Sequence, residues 1–372
     1  MTRARPATVW PLIALLLAAL FAAPAVSAQS GQPPSRSTQP AKAKSPEEQA
    51  EELQTRAFKA IADGNYAQAA QLLREQITLD PGNFVPYYNL ACALSLDEKP
   101  ESAADALIDA IEHGFVDLDQ LKRDPQLAAA RSDPRIPRLL NSWSTVLDRH
   151  LEASLRATSA LFNDRSATYQ TTRDEKLRIA LVSAMDPNST EAAHADINRL
   201  YQWALLNVFP ELSDPDAAKR DAWCVVALPT PKDFLKWIVS TYGRDAINTF
   251  SGIGGAYIND QKRLVAQDLG ATFRHEFFHV LHWRSMIRRG QEHPIWLQEG
   301  LCSLVEDYEL GPDNSAESLK PVASWRANMA KRIMTGGRIL PIKELTRLPR
   351  ERFTGASPLA NYAQARTFFL FL

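Results

Sequence analysis

Apolar positions in the first third of the chain recur at the spacing expected of paired helices. Residues 64–73 align with residues 98–107 at an offset of 34, and each copy carries two adjacent alanines followed by larger apolar side chains. Small residues let two helices approach closely, and the larger ones fill the seam between them. The positions concerned are Ala69, Ala70, Leu73, Ile77, Ala103, Ala104, Leu107 and Ile111. This pattern predicts two helix-turn-helix units.

After residue 176 the apolar pattern changes to short runs that alternate with amphipathic stretches. The apolar runs predict strands at 177–182 and 222–228 and a hairpin of 254–258 with 263–267. The amphipathic stretches predict helices at 191–208, 232–242, 269–286, 300–308, 319–334 and 358–372. In the first of these helices we expect four residues to face inward: Leu200, Trp203, Leu206 and Phe209. The order of elements predicts an α+β domain that follows an all-α repeat domain.

The chain divides into five predicted segments. They are a signal peptide at 1–28, a disordered linker at 29–46, a helical repeat domain at 47–141, a connecting helix at 142–176 and the α+β domain at 177–372. Arg3 and Arg5 precede an apolar run that is shorter than the ~20 residues of a membrane helix, and Ala28 ends a small-residue cleavage site. We therefore expect export to the periplasm or the exterior, with no membrane span once the signal is removed; an uncleaved membrane anchor is the alternative.

A period of 34 residues with one helix-turn-helix per unit is that of tetratricopeptide repeats. Such repeats resemble scaffolds that bind peptides and proteins, so the domain has two interpretations, a protein-binding module or a spacer that packs on another part of the chain. Two units are fewer than usually stand alone. The sequence leaves both interpretations open.

The charge balance bears on the class of binding partner, and the cysteines bear on whether disulfides form. Lys and Arg number 42 against 43 Asp and Glu, which gives a formal net charge of −1 and no electrostatic case for nucleic acid or an anionic membrane. Cys92, Cys224 and Cys302 lie in apolar settings, where buried inert thiols are expected. A Cys224–Cys302 disulfide stays open as an alternative.

Candidate chemistry is concentrated in the predicted helix at 269–286. His275 and His279 are four residues apart, so their imidazoles leave one face of a helix one turn apart. Two nitrogens at this spacing can bind one Zn²⁺ ion, and Glu276 beside them is placed to act as a general base. Zinc needs a third protein ligand, for which Glu299 is the best candidate because it lies in another helical stretch at a workable distance.

Two further histidines are candidates near this motif. His282 lies seven residues after His275 and shares the ligand stripe, although it sits further along the helix axis. His293 and Glu292 lie in the loop before Glu299, and each is an alternative third ligand or a residue that lines the cleft. The pattern alone does not separate a ligand from a cleft-lining role.

The segments HEFFH at 275–279 and WLQEG at 296–300 resemble the gluzincin metallopeptidases, the superfamily of thermolysin and the membrane alanyl aminopeptidases. Within it, the chain is similar to secreted bacterial peptidase-MA-like proteins that carry tetratricopeptide repeats. The resemblance covers roughly residues 178–372 and implies a zincin-like α+β fold that hydrolyses peptide bonds. It implies the following roles: His275, His279 and Glu299 as zinc ligands, Glu276 as acid/base, Glu306 as an acid behind the ligands, and Tyr362 as a phenol for the oxyanion.

Two departures from the family pattern limit what the resemblance implies. The gap between His279 and Glu299 is one residue longer than in the aminopeptidases, and their Gly-Ala-Met-Glu-Asn motif is absent, with GGAYIN at 254–259 in the comparable place. Exopeptidase action is therefore not implied. The alternative function is a catalytically inactive zincin-like scaffold that binds protein or cell-wall partners.

Overall fold

The computed structural model describes residues 44–244, 254–355 and 357–371. The predicted signal peptide and most of the predicted linker lie outside these residues. The described chain is mostly helical with a small mixed sheet. It forms two compact units, of which the first contains the described residues up to Phe115 together with Asp124–Ser142. The second contains Val116–Arg123 and Trp143 onward.

The first unit is built from helical hairpins. Its helices are α1 (Pro46–Ala62), α2 (Tyr66–Leu79), α3 (Phe84–Leu96), α4 (Pro100–Glu112), α6 (Ala128–Ser132) and α7 (Arg135–Asn141), with α5 (Leu118–Arg123) in the second unit. Helix α1 packs on α2, α2 on α3, and α3 on α4. The paired alanines of both repeats are buried at these contacts, and Leu73 and Leu107 are fully enclosed. Close approach at small residues therefore forms the hairpins as predicted.

The second unit contains a five-stranded sheet in the order β1-β2-β3-β5-β4. Its strands are β1 (Gln170–Asp174), β2 (Ile179–Ser183), β3 (Cys224–Leu228), β4 (Gly255–Ile258) and β5 (Arg263–Ala266). Strands β2, β3 and β5 are parallel, while β1 and β4 run antiparallel to their neighbours and form the two edges. The central strands β2 and β3 are buried along their whole length, which explains their continuous apolar runs.

Helices cover this sheet and continue beyond it. They are α8 (Trp143–Leu161), α9 (Pro187–Asn207), α10 (Pro215–Ala218), α11 (Pro231–Tyr242), α12 (Ala271–Arg289), α13 (Ile295–Leu304), α14 (Trp325–Thr335), α15 (Ile342–Leu345), α16 (Arg350–Gly355) and α17 (Pro358–Phe369). Strands β6 (Tyr308–Leu310) and β7 (Leu319–Pro321) form a separate antiparallel pair. The core joins β2, β3 and β5 to α9 and α12 through residues that include Leu200, Phe273 and Phe277.

The short segment Val116–Arg123 belongs to the second unit although it lies between two parts of the first along the chain. Leu118 and Leu121 of α5 are buried, and α5 contacts α12. The Asp117 carboxylate lies 2.9 Å from the Lys262 ammonium, and the two side chains are only 12% and 6% exposed. Likewise α8, predicted as a connecting helix, packs on β2 and β3 inside the second unit.

Several sequence predictions differ from the structure. The predicted helix at 300–308 ends at Leu304 and the one at 319–334 begins only at Trp325, because Tyr308–Leu310 pairs with residues 319–321 as a hairpin. The connecting helix predicted at 142–176 ends at Leu161, and strand β1 follows it at Gln170–Asp174; this strand is polar and mostly exposed, so no apolar run marked it. Leu206 is 67% exposed, because α9 turns by 3.6 residues and a spacing of three drifts away from the buried face.

Strand β4 approaches α12 closely at Gly255. A Cβ atom there would lie 2.3 Å from the Val265 carbonyl oxygen and 2.9 Å from Thr272 Cγ2. Gly255→Ala is therefore expected to lower the free energy of unfolding by about 1–3 kcal/mol, since backbone must shift to admit the methyl group. Urea denaturation measures this change. The control Gly355→Ala, where nothing lies within 4 Å, should leave stability unchanged or slightly raised; an equal loss in both variants would contradict the steric explanation.

Candidate metal centre

Helix α12 carries the two histidines predicted as ligands. It begins after Gly270, where Asp268 Oδ1 accepts hydrogen bonds from the N–H groups of Gly270 and Thr272 at 2.8 and 3.3 Å. Its apolar residues enter the core, so the helix is enclosed and its polar face is turned toward α13. His275 and His279 are 7% and 9% exposed. The predicted arrangement of both rings on one face, one turn apart, is present.

Three potential ligand atoms converge at this face. His275 Nε2 and His279 Nε2 are 3.1 Å apart, and Glu299 Oε2 lies 3.3 Å from the first and 3.5 Å from the second. Ligands on a tetrahedral zinc ion with bonds of about 2.0–2.1 Å lie roughly 3.3–3.4 Å from one another. A point about 2 Å from all three atoms therefore exists, and the triangle matches one face of a tetrahedron.

The chemistry of these atoms fits a cation. Without a proton, each of the three atoms directs a lone pair at the other two, so they repel unless positive charge, from a proton or a metal ion, lies among them. A single proton can join only one pair, whereas one metal ion can contact all three. Two imidazole nitrogens and one carboxylate oxygen suit zinc and also other divalent first-row metals. The fit supports a metal site without selecting the metal.

Electrostatics inside the cluster act in the same direction. Burial opposes ionisation of Glu299, but the two imidazoles outweigh it and hold the pKa of this carboxyl well below its usual value. Burial also opposes a charge on His275, yet hydrogen bonding with Glu299 and Glu306 raises the pKa of this imidazole to about 10. The cluster therefore attracts positive charge strongly.

Glu306 lies behind His275, as the resemblance implied. Its Oε1 is 2.7 Å from His275 Nδ1 as an ion-pair contact, which leaves Nε2 directed at the cluster. Arg326 of α14 donates two hydrogen bonds to the same carboxylate, from Nε and from Nη2, each at 2.5 Å. Arg274 of α12 donates to the Glu306 backbone carbonyl through Nε at 3.1 Å and Nη2 at 2.5 Å. His275 and Arg326 thus hold the Glu306 carboxylate, and Arg274 holds the Glu306 backbone.

Glu276 is 8% exposed and lies next to the cluster. Burial raises its pKa; the imidazoles of His275 and His279 and the N–H of Tyr257 on β4 lower it in part. A carboxyl group whose pKa is raised by burial is suited to accept a proton and return it. The predicted base and the edge strand β4 therefore lie together.

The carboxylates of the site contribute to the raised pKa values of two tyrosines. Burial raises the pKa of Tyr362 well above its usual value, and the charges of Glu299 and Glu276 raise it further. Burial, with the charge of Glu276, raises the pKa of Tyr242 to about 12. The Tyr362 ring also packs on Phe353 at 5.5 Å between centroids. Both phenols are neutral at pH 7 and able to donate hydrogen bonds.

The alternative ligands His282, His293 and Glu292 supply none of the three convergent atoms, and Glu292 is exposed. His282 is 1% exposed and its Nε2 lies 2.7 Å from His293 Nδ1. Burial lowers the pKa of His282 to about 3 and also lowers that of His293, so both rings are neutral at pH 7. The two histidines bond each other beside the ligand helix instead of joining the metal group.

Sequence reasoning missed Arg326, Arg274 and Tyr242. Arg274 directly precedes the motif, and its position beside His275 was a usable signal. Arg326 and Tyr242 lie in other helices with no pattern that links them to the motif. Only the folded chain brings them to Glu306 and Glu276.

Comparisons with protein-family models, curated proteins and solved structures found no match for this chain. Within the described ranges, no helix has the length and apolar character needed to cross a bilayer. Cys92, Cys224 and Cys302 are buried free thiols, so the disulfide considered for the last two is not formed.

Proposed function

We propose that this chain is a zinc-dependent peptidase of the gluzincin type, with a zincin-like α+β domain behind tetratricopeptide repeats. The observation that carries the proposal is the triangle of His275 Nε2, His279 Nε2 and Glu299 Oε2, with sides of 3.1, 3.3 and 3.5 Å, beside a buried carboxyl group at Glu276. The resemblance of the segments at 275–279 and 296–300 supplies the reaction class. Export through residues 1–28 and a protein partner for the repeats remain predictions.

An extended peptide is the substrate that the geometry supports. Strand β4 forms one edge of the sheet and contacts α12. A peptide that adds to such an edge pairs through its backbone, so its carbonyl groups are presented at fixed intervals. Because the N–H of Tyr257 on β4 acts on Glu276, a peptide along this edge passes the proposed base. This favours cleavage within a chain over removal of a terminal residue.

The residues have separate roles in hydrolysis. Zinc bound by the three ligands would polarise the scissile carbonyl and acidify a water molecule. Glu276 accepts one proton from the attacking water at a carboxylate oxygen and returns it to the amine nitrogen as the C–N bond breaks. Tyr362, which stays protonated, donates a hydrogen bond to the oxygen that gains negative charge. Glu306 holds His275 in orientation.

Removal of the third ligand tests the metal site. Glu299→Ala is expected to weaken zinc binding by more than about 100-fold, beyond the cost of losing an outer partner, because two imidazoles alone leave the ion undercoordinated. Zinc content after dialysis, measured by elemental analysis, and hydrolysis of a quenched fluorescent peptide library report the two effects. The control is Glu292→Ala, which removes an exposed glutamate near the same helix.

The same measurements separate the proposal from the inactive scaffold. A wild-type chain that retains one zinc and cleaves peptides supports the peptidase. A wild-type chain that retains zinc without any cleavage favours the scaffold. A wild-type chain that holds no more zinc than the Glu299→Ala variant contradicts the metal site itself.

A further inference from the structure

His293 is bonded to both helices that carry the proposed ligands. Its ring Nδ1 lies 2.7 Å from His282 Nε2 of α12, and its backbone N–H points at Met286 Sδ of α12 at 3.4 Å. Its carbonyl oxygen accepts from Gln298 Nε2 of α13 at 2.5 Å. His293 therefore connects the two helices: two of its contacts reach α12 and one reaches α13.

The loop around His293 sets where α13 begins. Helix α12 ends at Arg289 and is capped by Gly290, whose φ of +61° reverses the chain. The N–H of Gln291 bonds back to the Met286 carbonyl at 3.0 Å. Helix α13 starts at Ile295, two residues after His293. Gln298 immediately precedes Glu299, so a bond that fixes Gln298 also fixes the turn from which the carboxylate projects.

The hydrogen-bond direction between the two histidines follows from burial. His282 Nδ1 is buried and has no hydrogen-bond partner in the part of the chain that the structure describes. A buried lone pair without a donor costs less than a buried N–H without an acceptor, so the proton of His282 resides on Nε2. His282 therefore donates and His293 Nδ1 accepts. An asparagine at position 293 places its amide oxygen near Nδ1 and can accept the same bond.

We infer that His293 is a positioning residue that holds α13 against α12 so that Glu299 reaches the metal with His275 and His279. This inference rests on the proposed metal-dependent function. The three ligand atoms lie within 4.8 Å of one another, and a zinc–carboxylate bond is only about 2.0–2.2 Å long, so movement of α13 away from α12 weakens the contribution of Glu299. His293 does not need to touch the metal for this role, because it acts through the helix that presents Glu299.

The test measures Co²⁺ and Zn²⁺ affinity by competition with a chromophoric chelator. His293→Ala is expected to bind each ion about 10- to 100-fold more weakly than wild type, a loss of the size that follows when a group supporting the metal ligands from outside is removed; His293 bonds no ligand itself and acts through α13. His293→Asn should stay within about threefold of wild type, well short of that loss, since it keeps the acceptor. Glu292→Ala, an exposed neighbour in the same loop, is the matched control and should not change the affinity.

A merely structural role predicts a different result. If His293 only stabilises the fold, His293→Ala lowers the urea midpoint equally in EDTA and in excess zinc, and the metal affinity of the folded protein is unchanged. That outcome overturns the inference. The positioning role instead predicts that the stabilisation gained on adding metal shrinks in His293→Ala and recovers in His293→Asn.

The remaining outcomes are also decisive. If His293→Ala does not fold, Gln298→Leu carries the test, because it removes the bond to the His293 carbonyl but keeps the His282–His293 pair; an unchanged affinity in that variant overturns the inference. If wild type binds neither ion, the proposed function fails and the inference fails with it. If wild type binds tightly while His293→Ala and Gln298→Leu bind equally well, only the inference fails.

Discussion

Replacing Glu276 with glutamine should lower peptide hydrolysis by about 100- to 10,000-fold, the range that a positioned acid–base group contributes. The amide keeps the shape of the side chain but cannot accept the proton of the attacking water. The three proposed ligands are untouched, so zinc content should remain one per chain. Initial rates on a quenched peptide and elemental analysis on the same preparation measure both quantities.

A matched replacement controls for the chemical change. Glu292→Gln alters an exposed glutamate three positions before the helix of Glu299 and should retain the wild-type rate. If Glu276→Gln cleaves as fast as wild type, Glu276 is not the base. If Glu276→Gln loses zinc as well as activity, the residue supports the metal and the mechanism must be reassigned.

Arg326→Met is expected to lower the free energy of unfolding by about 3–5 kcal/mol, as for other buried ion pairs from which one partner is removed. Arg326 and Glu306 meet through two contacts of 2.5 Å, and their side chains are only 9% and 5% exposed. Without the guanidinium, the Glu306 carboxylate stays buried with His275 as its remaining cationic partner and one of its two counter-charges missing. Urea denaturation in EDTA at pH 7 measures the loss apart from any metal effect.

Two further variants serve as controls for Arg326→Met. Arg173→Met breaks a pair with Glu152 at 2.6 Å, but those side chains are 46% and 51% exposed, so the loss should be below about 1 kcal/mol. The double replacement Glu306→Gln with Arg326→Met removes both charges and should recover part of the stability. If Arg326→Met and Arg173→Met lower the free energy of unfolding equally, burial does not explain how much the Arg326–Glu306 pair contributes to stability.

The local part of the site was predictable because it depends only on helix geometry. A spacing of four residues places His275 and His279 on one face, and the structure shows their Nε2 atoms 3.1 Å apart. The motif resemblance then pointed to Glu299 and Glu306, which the structure places at 3.3 and 2.7 Å from His275. Paired alanines in the repeats likewise predicted where helices meet.

The missed part depends on contacts between distant positions. Arg326 reaches Glu306 because α14 follows the β6–β7 hairpin. The prediction of a single helix at 319–334 did not include this hairpin. No propensity marks residues 319–321 as a strand, since their conformation is set by pairing with Tyr308–Leu310. The role of His293 was also left open, because a loop residue is positioned by its neighbours and not by periodicity.

The ion pair between Asp117 and Lys262 has a practical consequence. Lys262 is 5% exposed, and its ammonium group contacts a carboxylate that comes from a stretch more than one hundred residues earlier. A polypeptide that starts at Trp143 would lack this anion, and the apolar surface that Leu118 and Leu121 cover would be exposed to water. A fragment intended to contain the whole second unit should therefore include Val116–Arg123 as well as the chain from Trp143 onward.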